Sequence, residues 1–199
     1  MAPALAQLNC EVIQSTSDEA PGLLAYIEHA LGAHHLPDLF HVQHELSKAV
    51  CTPMGTQERA ADKALSEAQE RLDQAQAHLE STGDKPEQRG PGRPAKEPMG
   101  LEQAQQALDA ARHEHDRLAQ QREQVKQSIR AIGQAYHFVD LERGMRRNGQ
   151  LIADDIRAQI ETIRTVAQHA GLRPTWLERI HKAERVVPKL QATLEVASG

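Results

Sequence analysis

Two apolar stripes separated by a stretch that cannot be helical constrain this chain more than any other feature. Ala61, Leu65, Ala68, Leu72, Ala75 and Leu79 recur at alternating spacings of four and three. Leu101, Ala104, Leu108, Ala111, His115, Leu118, Arg122, Val125, Ile129 and Ile132 repeat the pattern. That spacing places each set on one face of an α-helix. Between them, residues 83–100 hold four prolines and four glycines, which remove backbone donors and favour turns. Two striped helices joined by such a link predict an antiparallel coiled-coil hairpin with a flexible tip. The small alanines on both stripes allow close helix approach. His115 and Arg122 interrupt the second stripe, and polar residues at seam positions set register at some cost in stability.

The C-terminal part continues in helices. Leu151, Ile152, Ile156, Ile160, Ile163 and Val166 or Ala167 predict an amphipathic helix closed near Gly171. Pro174 then opens another, with Trp176, Leu177, Ile180, Ala183 and Val187 on its apolar face, until Pro188 kinks or breaks it. Tyr136, Phe138, Val139 and Leu141 are expected to add bulk where these helices meet the base of the hairpin. Only 3% of the 199 residues are aromatic, which favours long helices over a thick core. The expected division is 1–45 as a strand-helix-strand segment, 46–142 as the hairpin and 143–199 as C-terminal helices.

The first segment is different in kind. The β-branched residues of Cys10–Asp18 favour an extended strand, and Asp18 falls where it hands over to a helix expected at Glu19–Leu31. A carboxylate held at a strand end can face Mg²⁺, which prefers a few carboxylate oxygens plus waters.

The runs Val12-Ile13-Gln14-Ser15-Thr16-Ser17-Asp18-Glu19-Ala20-Pro21-Gly22-Leu23-Leu24 and Leu36-Pro37-Asp38-Leu39-Phe40-His41-Val42 resemble the middle of bacterial insertion-sequence transposases with an RNase H-like acidic-triad core. The later run Ala131–Gly144 resembles the helical insertion of that family. The resemblance implies that Asp18 is the second catalytic acid and a Mg²⁺ ligand. It also implies that Asp38 and His41 belong to the next strand, with His41 packed beside it. The fold class it implies is mainly α: a coiled-coil hairpin and C-terminal helices behind a short N-terminal β/α remnant of an RNase H-like core. The family's first Asp and its final Glu would lie outside residues 1–199, so the chain is expected to be a fragment, inactive alone, with Mg²⁺ relevant only in a complete enzyme.

Charge suggests where DNA could be met. The net charge is −5, which argues against a general nucleic-acid coat. Residues 1–50 carry six Asp and Glu against the single Lys48, whereas residues 143–190 carry ten Lys and Arg against five Asp and Glu. The basic turn with Arg143, Arg146 and Arg147 beside Gly144 and Asn148-Gly149 is the expected phosphate contact. In the tip, Arg89 and Arg93 of Arg89-Gly90-Pro91-Gly92-Arg93-Pro94 are similar to an AT-hook that lays arginines in a narrow minor groove. That motif has a contiguous Arg-Gly-Arg-Pro, which this run lacks, so a soluble linker is the plainer reading.

Other chemistry is poorly represented. His29, His34, His35, His41 and His44 crowd one segment but lack structural-zinc spacing. Cys10 and Cys51 read as ordinary reduced thiols. No phosphate loop or nucleophile elbow is present. Without a long apolar run or a leader-like N-terminus, the expectation is a cytoplasmic protein that does not span a membrane. The transposase-like reading has two rivals. One is a coiled-coil protein that binds a helical partner or itself, and the other is a DNA-binding module without catalysis.

Overall fold

In a computed structural model of the chain, the described residues are Val12, 14–17, 20–82, 99–135, His137, 139–140 and 144–198. They divide into two compact units. One comprises Met1–Pro53 with Glu123–Gly199, and the other is Met54–Arg122.

The first unit opens with strand β1 (Gln14–Ser17), helix α1 (Pro21–Tyr26) continued by a π-helical turn (Ile27–Leu31), and strand β2 (His34–Pro37). Pro21 begins α1 because a helix's first N–H has no partner to lose. Gly32 ends the π turn at φ 58°, in the left-handed region where glycine has no side chain to clash. β1 and β2 are parallel, with Gln14 opposite His34 and Ser17 opposite Pro37.

The resemblance implies a strand through Asp38 and His41, and here the structure corrects it. β2 ends at Pro37, and helix α2 (Leu39–Thr82) begins at once. Asp38 acts as its cap: Phe40 N–H donates to Asp38 Oδ1 at 2.9 Å, and Val42 N–H donates to the Asp38 carbonyl at 3.2 Å. His41 is exposed on the first helical turn. The physical reason lies in spacing: Leu39, Val42, Leu46, Ala49 and Val50 follow helical periodicity and are all buried. The expected hairpin start at residue 46 thus falls inside a helix that starts at Leu39. The helix continues past Pro53.

Helix α3 spans Leu101–Ala135. Within the first unit its C-terminal part buries Val125, Ile132 and Ala135. There Gln43 Nε2 of α2 donates to the Ile129 carbonyl at 2.9 Å. A Cβ on Gly133 would stand 2.6 Å from that amide nitrogen, so a glycine is what lets Gln43 reach across.

Strands β3 (Val139–Asp140) and β4 (Met145–Arg146) form an antiparallel pair, and Gly144 turns at φ 64°. Val139, expected in the core, is 41% exposed; on two residues of strand its side chain has no facing layer to enter. Tyr136, Phe138 and Leu141 lie outside the described residues.

Much of the core of this unit comes from helices α4 (Gly149–His169), α5 (Pro174–Glu184) and α6 (Val186–Ser198). Asn148 caps α4, its Oδ1 accepting from Leu151 N–H at 2.8 Å. Ile152, Ile156, Ile160, Ile163, Val166 and Ala167 line one buried stripe as expected. Leu151 lies off that stripe and is 55% exposed. Gly171, at φ 65°, closes the helix, and Leu172 N–H bonds back to the Ala167 carbonyl at 3.0 Å. Ile180 and Ala183 of α5 are buried, as are Val186, Val187, Leu190 and Leu194 of α6.

Pro188 was expected to break a helix, yet it sits in the first turn of α6, and the break falls at Arg185. A proline there costs little, because N–H groups of a first turn have no intrahelical acceptor. Gly149 allows α4 and α6 to approach closely: a Cβ there would meet Leu194 Cβ at 3.0 Å and the Gln191 carbonyl at 3.1 Å.

The second unit consists of two helical arms, residues 54–82 of α2 and 101–122 of α3. Its seam holds Ala68, Leu72, Ala75, Ala104 and Leu108, with Leu65 and Ala111 packed against them. Ala61 and Leu118 are also buried. Cross-helix polar pairs join Glu58 to Arg122 and Asp62 to His115. Partner numbers fall on α3 as they rise on α2, so the arms are antiparallel, as the hairpin requires. At the far end Leu79 and Leu101 are 65% and 38% exposed although they continue the stripe. Of the expected tip, 83–100, residues 83–98 lie outside the described residues. Among the described residues no helix is long and apolar enough to cross a membrane.

Two substitutions test this core. Ile160→Ala is expected to lose about 2–5 kcal/mol of unfolding free energy. Gly149→Val should lose about 1–3 kcal/mol by overpacking against backbone that cannot yield. Urea denaturation of both variants, followed by circular dichroism, checks these values.

Candidate functional site

Two features from the sequence compete for the role of functional site: the strand end before Asp18 and the arginines after the hairpin. Asp18 lies outside the described residues, as do Arg89, Arg93 and Arg143. What surrounds the strand end is described. β1 ends at Ser17 directly opposite Pro37, so the residues following each strand, Asp18 and Asp38, succeed two neighbouring strand ends in the sequence. The Asp38 carboxylate is engaged by the Phe40 N–H.

The strand pair carries polar groups that sequence reasoning passed over. Ser15 and His35 are register partners. Among the described residues, the Ser15 hydroxyl, both His35 ring nitrogens and the Tyr26 hydroxyl are buried without a hydrogen-bond partner. His35 also lines a cavity of about 320 Å³, together with Leu24, Glu28, Ala33 and Lys189. The sequence signal for this feature was the histidine crowding before the hairpin, but periodicity could not tell that His35 points inward. Among the described residues no three His, Cys, Asp or Glu side chains converge as metal ligands would. His29, His41 and His44 are exposed. Cys51 is a free, half-buried thiol, and Cys10 lies outside the described residues.

The arginines divide sharply by environment. Arg147 is turned inward: Nη1 donates to the Ala135 carbonyl at 3.1 Å, and Nη2 is paired with Asp155. Its guanidinium therefore satisfies a carbonyl at the end of α3 and ties that end to α4. Arg146, one residue earlier on β4, is exposed and, among the described residues, its side chain makes no hydrogen bond or ion pair. Arg147 follows the strand, since β4 ends at Arg146, and leads into the Asn148 cap of α4.

The remaining basic excess is partly taken up inside the helical bundle. Arg157 Nη1 bonds Asp154 at 2.7 Å, and its Nη2 bonds Gln191 at 2.8 Å. Arg164 pairs with Glu161 and bonds Glu184 at 3.1 Å. Gln150 donates to Asp154 at 2.7 Å. That amide bond first, and Arg157 after it, hold the Asp154 carboxyl below its usual range. Arg179 lies 4.9 Å above the Trp176 ring.

With this geometry in view, comparison adds no relative: no protein-family model, no curated protein and no solved structure matches the chain.

The two neighbouring arginines should respond differently to truncation. Arg147→Ala is expected to lower unfolding free energy by about 1–2 kcal/mol, because a partly buried carbonyl loses its charged donor. Arg146→Ala should stay within about 0.5 kcal/mol of the wild type. Chemical denaturation of the pair measures the contrast.

Proposed function

We propose that the chain carries the middle of a transposase-like protein, a strand-borne acid followed by a helical insertion. One observation carries the reading: β1 ends immediately before Asp18 and runs parallel to β2, with Ser17 opposite Pro37. Ligand sites of parallel sheets favour the carboxyl ends of strands, where loops converge and side chains are held by a rigid scaffold. The long antiparallel hairpin that follows matches the expectation of an insertion. In this reading Asp18 supplies one carboxylate to Mg²⁺, and the remaining acids come from outside this sequence. A two-metal phosphoryl-transfer centre needs several carboxylates, so this chain by itself does not cleave DNA. DNA would be met through exposed cations such as Arg146, with Arg147 holding the base of the insertion in place.

A second reading is favoured by the seam's far end. Leu79, Met99 and Leu101 are exposed, and two of them occupy stripe positions. Exposed apolar positions of that kind suit a helical partner or a second copy.

Three outcomes separate these readings. Sequencing the coding DNA on both sides of this segment, in all frames, should reveal a strand-borne Asp upstream and a helix-borne Glu downstream; absence of both would remove the catalytic reading. Supercoiled plasmid incubated with the chain and Mg²⁺ should remain uncut, and Asp18→Ala should behave identically. If the interaction reading holds instead, light scattering will show mass rising with concentration, and Leu79→Glu will abolish the rise.

A further inference from the structure

His115 occupies a seam position in the second unit where a leucine would continue the stripe. Both of its ring nitrogens are engaged by carboxylates. Nε2 lies 3.0 Å from Asp62 Oδ1 on the opposite helix, and Nδ1 lies 3.0 Å from Asp116 Oδ1 on its own. A neutral imidazole has one donor and one acceptor, so it can serve only one ionised carboxylate; the imidazolium has two donors and serves both. The arrangement is therefore complete only when the ring is protonated. We propose that His115 is a proton-operated clasp that joins the two arms of the hairpin through Asp62.

The surrounding charges agree with this assignment. Glu58 of α2 is taken by Arg122, and Glu114 of α3 by Arg117 at 2.6 Å. Asp62 and Asp116 are thus the charges that face the ring. The hydrogen bond that the ring donates to Asp116 first, opposed by partial desolvation and then aided by the charge of Asp62, raises the His115 pKa above the ordinary imidazole value.

A raised folded-state pKa stabilises the fold fully below the unfolded value, about 6.5 for histidine. That contribution is lost as pH rises through the folded-state pKa. The clasp is therefore closed below the unfolded value and opens as pH rises through the raised folded-state value. The side chain is 27% exposed, so a proton can reach it without unfolding. The chain has 11 histidines, and the proposal concerns His115, which bridges two helices through a carboxylate on each.

Proton NMR titration of the full chain tests the proposal, with the His115 ring signals assigned by their loss in His115→Gln. The expected result is a His115 midpoint above that of an ordinary histidine, which moves down in Asp62→Asn, a variant at an exposed position that leaves the seam intact. The fall in Tm between pH 6 and pH 9 should be smaller in His115→Gln than in the wild type. A midpoint at or below the ordinary value overturns the proposal. So does a midpoint that responds to Asp116→Asn but not to Asp62→Asn, because the bond would then lie within one helix.

Discussion

The structure depends on one geometric requirement: two long helices must bury a three-four stripe against each other at the close distance that alanine permits. Each Ala on the seam contributes little area of its own. What it does is let leucines on the opposite arm reach across, so that Leu72 and Leu108 are buried beside Ala68, Ala75 and Ala104. The same requirement explains the glycines at close approaches. Gly133 admits Gln43, and Gly149 admits Leu194 and the backbone at Gln191. A seam built this way tolerates polar residues only where they find partners across it, and Arg122 with Glu58 and His115 with Asp62 meet that condition.

Charge in this chain is as much internal mortar as it is a surface for partners. The C-terminal segment reads as a phosphate-facing surface when its Lys and Arg are counted. Yet Arg147 holds a helix end, while Arg157 and Arg164 bond to residues on other helices as well as to acids on their own. Guanidinium groups suit such work because their several donors reach carbonyls and carboxylates at once. The count of Lys and Arg in the segment therefore overstates its unpaired positive charge, and Arg146 is an exposed cation that this count does not distinguish.

Legibility followed the length over which a pattern repeats. The hairpin stripes and the α4 stripe run for many turns, and nearly every position expected to be buried is buried or half-buried, with exceptions at ends: Leu79, Leu101 and Leu151. Short signals fared worse. Asp38-Leu39-Phe40-His41 reads as a strand by resemblance, whereas Asp38 caps a helix whose spacing is visible in Leu39, Val42 and Leu46. Pro188 looked like a breaker, although its meaning depends on where the helix starts. Around the candidate site, no pattern marked His35 and Ser15 as inward-facing, since two four-residue strands offer too few alternations to fix a face.

The sequence by itself determined that this chain is mainly helical, with a paired stripe and amphipathic C-terminal helices, because local periodicity and the backbone limits of Pro and Gly act over neighbouring residues. Tertiary structure alone decided which polar groups are spent on the fold. Arg147 reaching Ala135, Gln43 reaching Ile129 and His115 facing Asp62 are contacts between residues distant along the chain or on different elements. No spacing within one helix encodes them. They arise only when packing brings two faces together and leaves each polar atom either a partner or a cost.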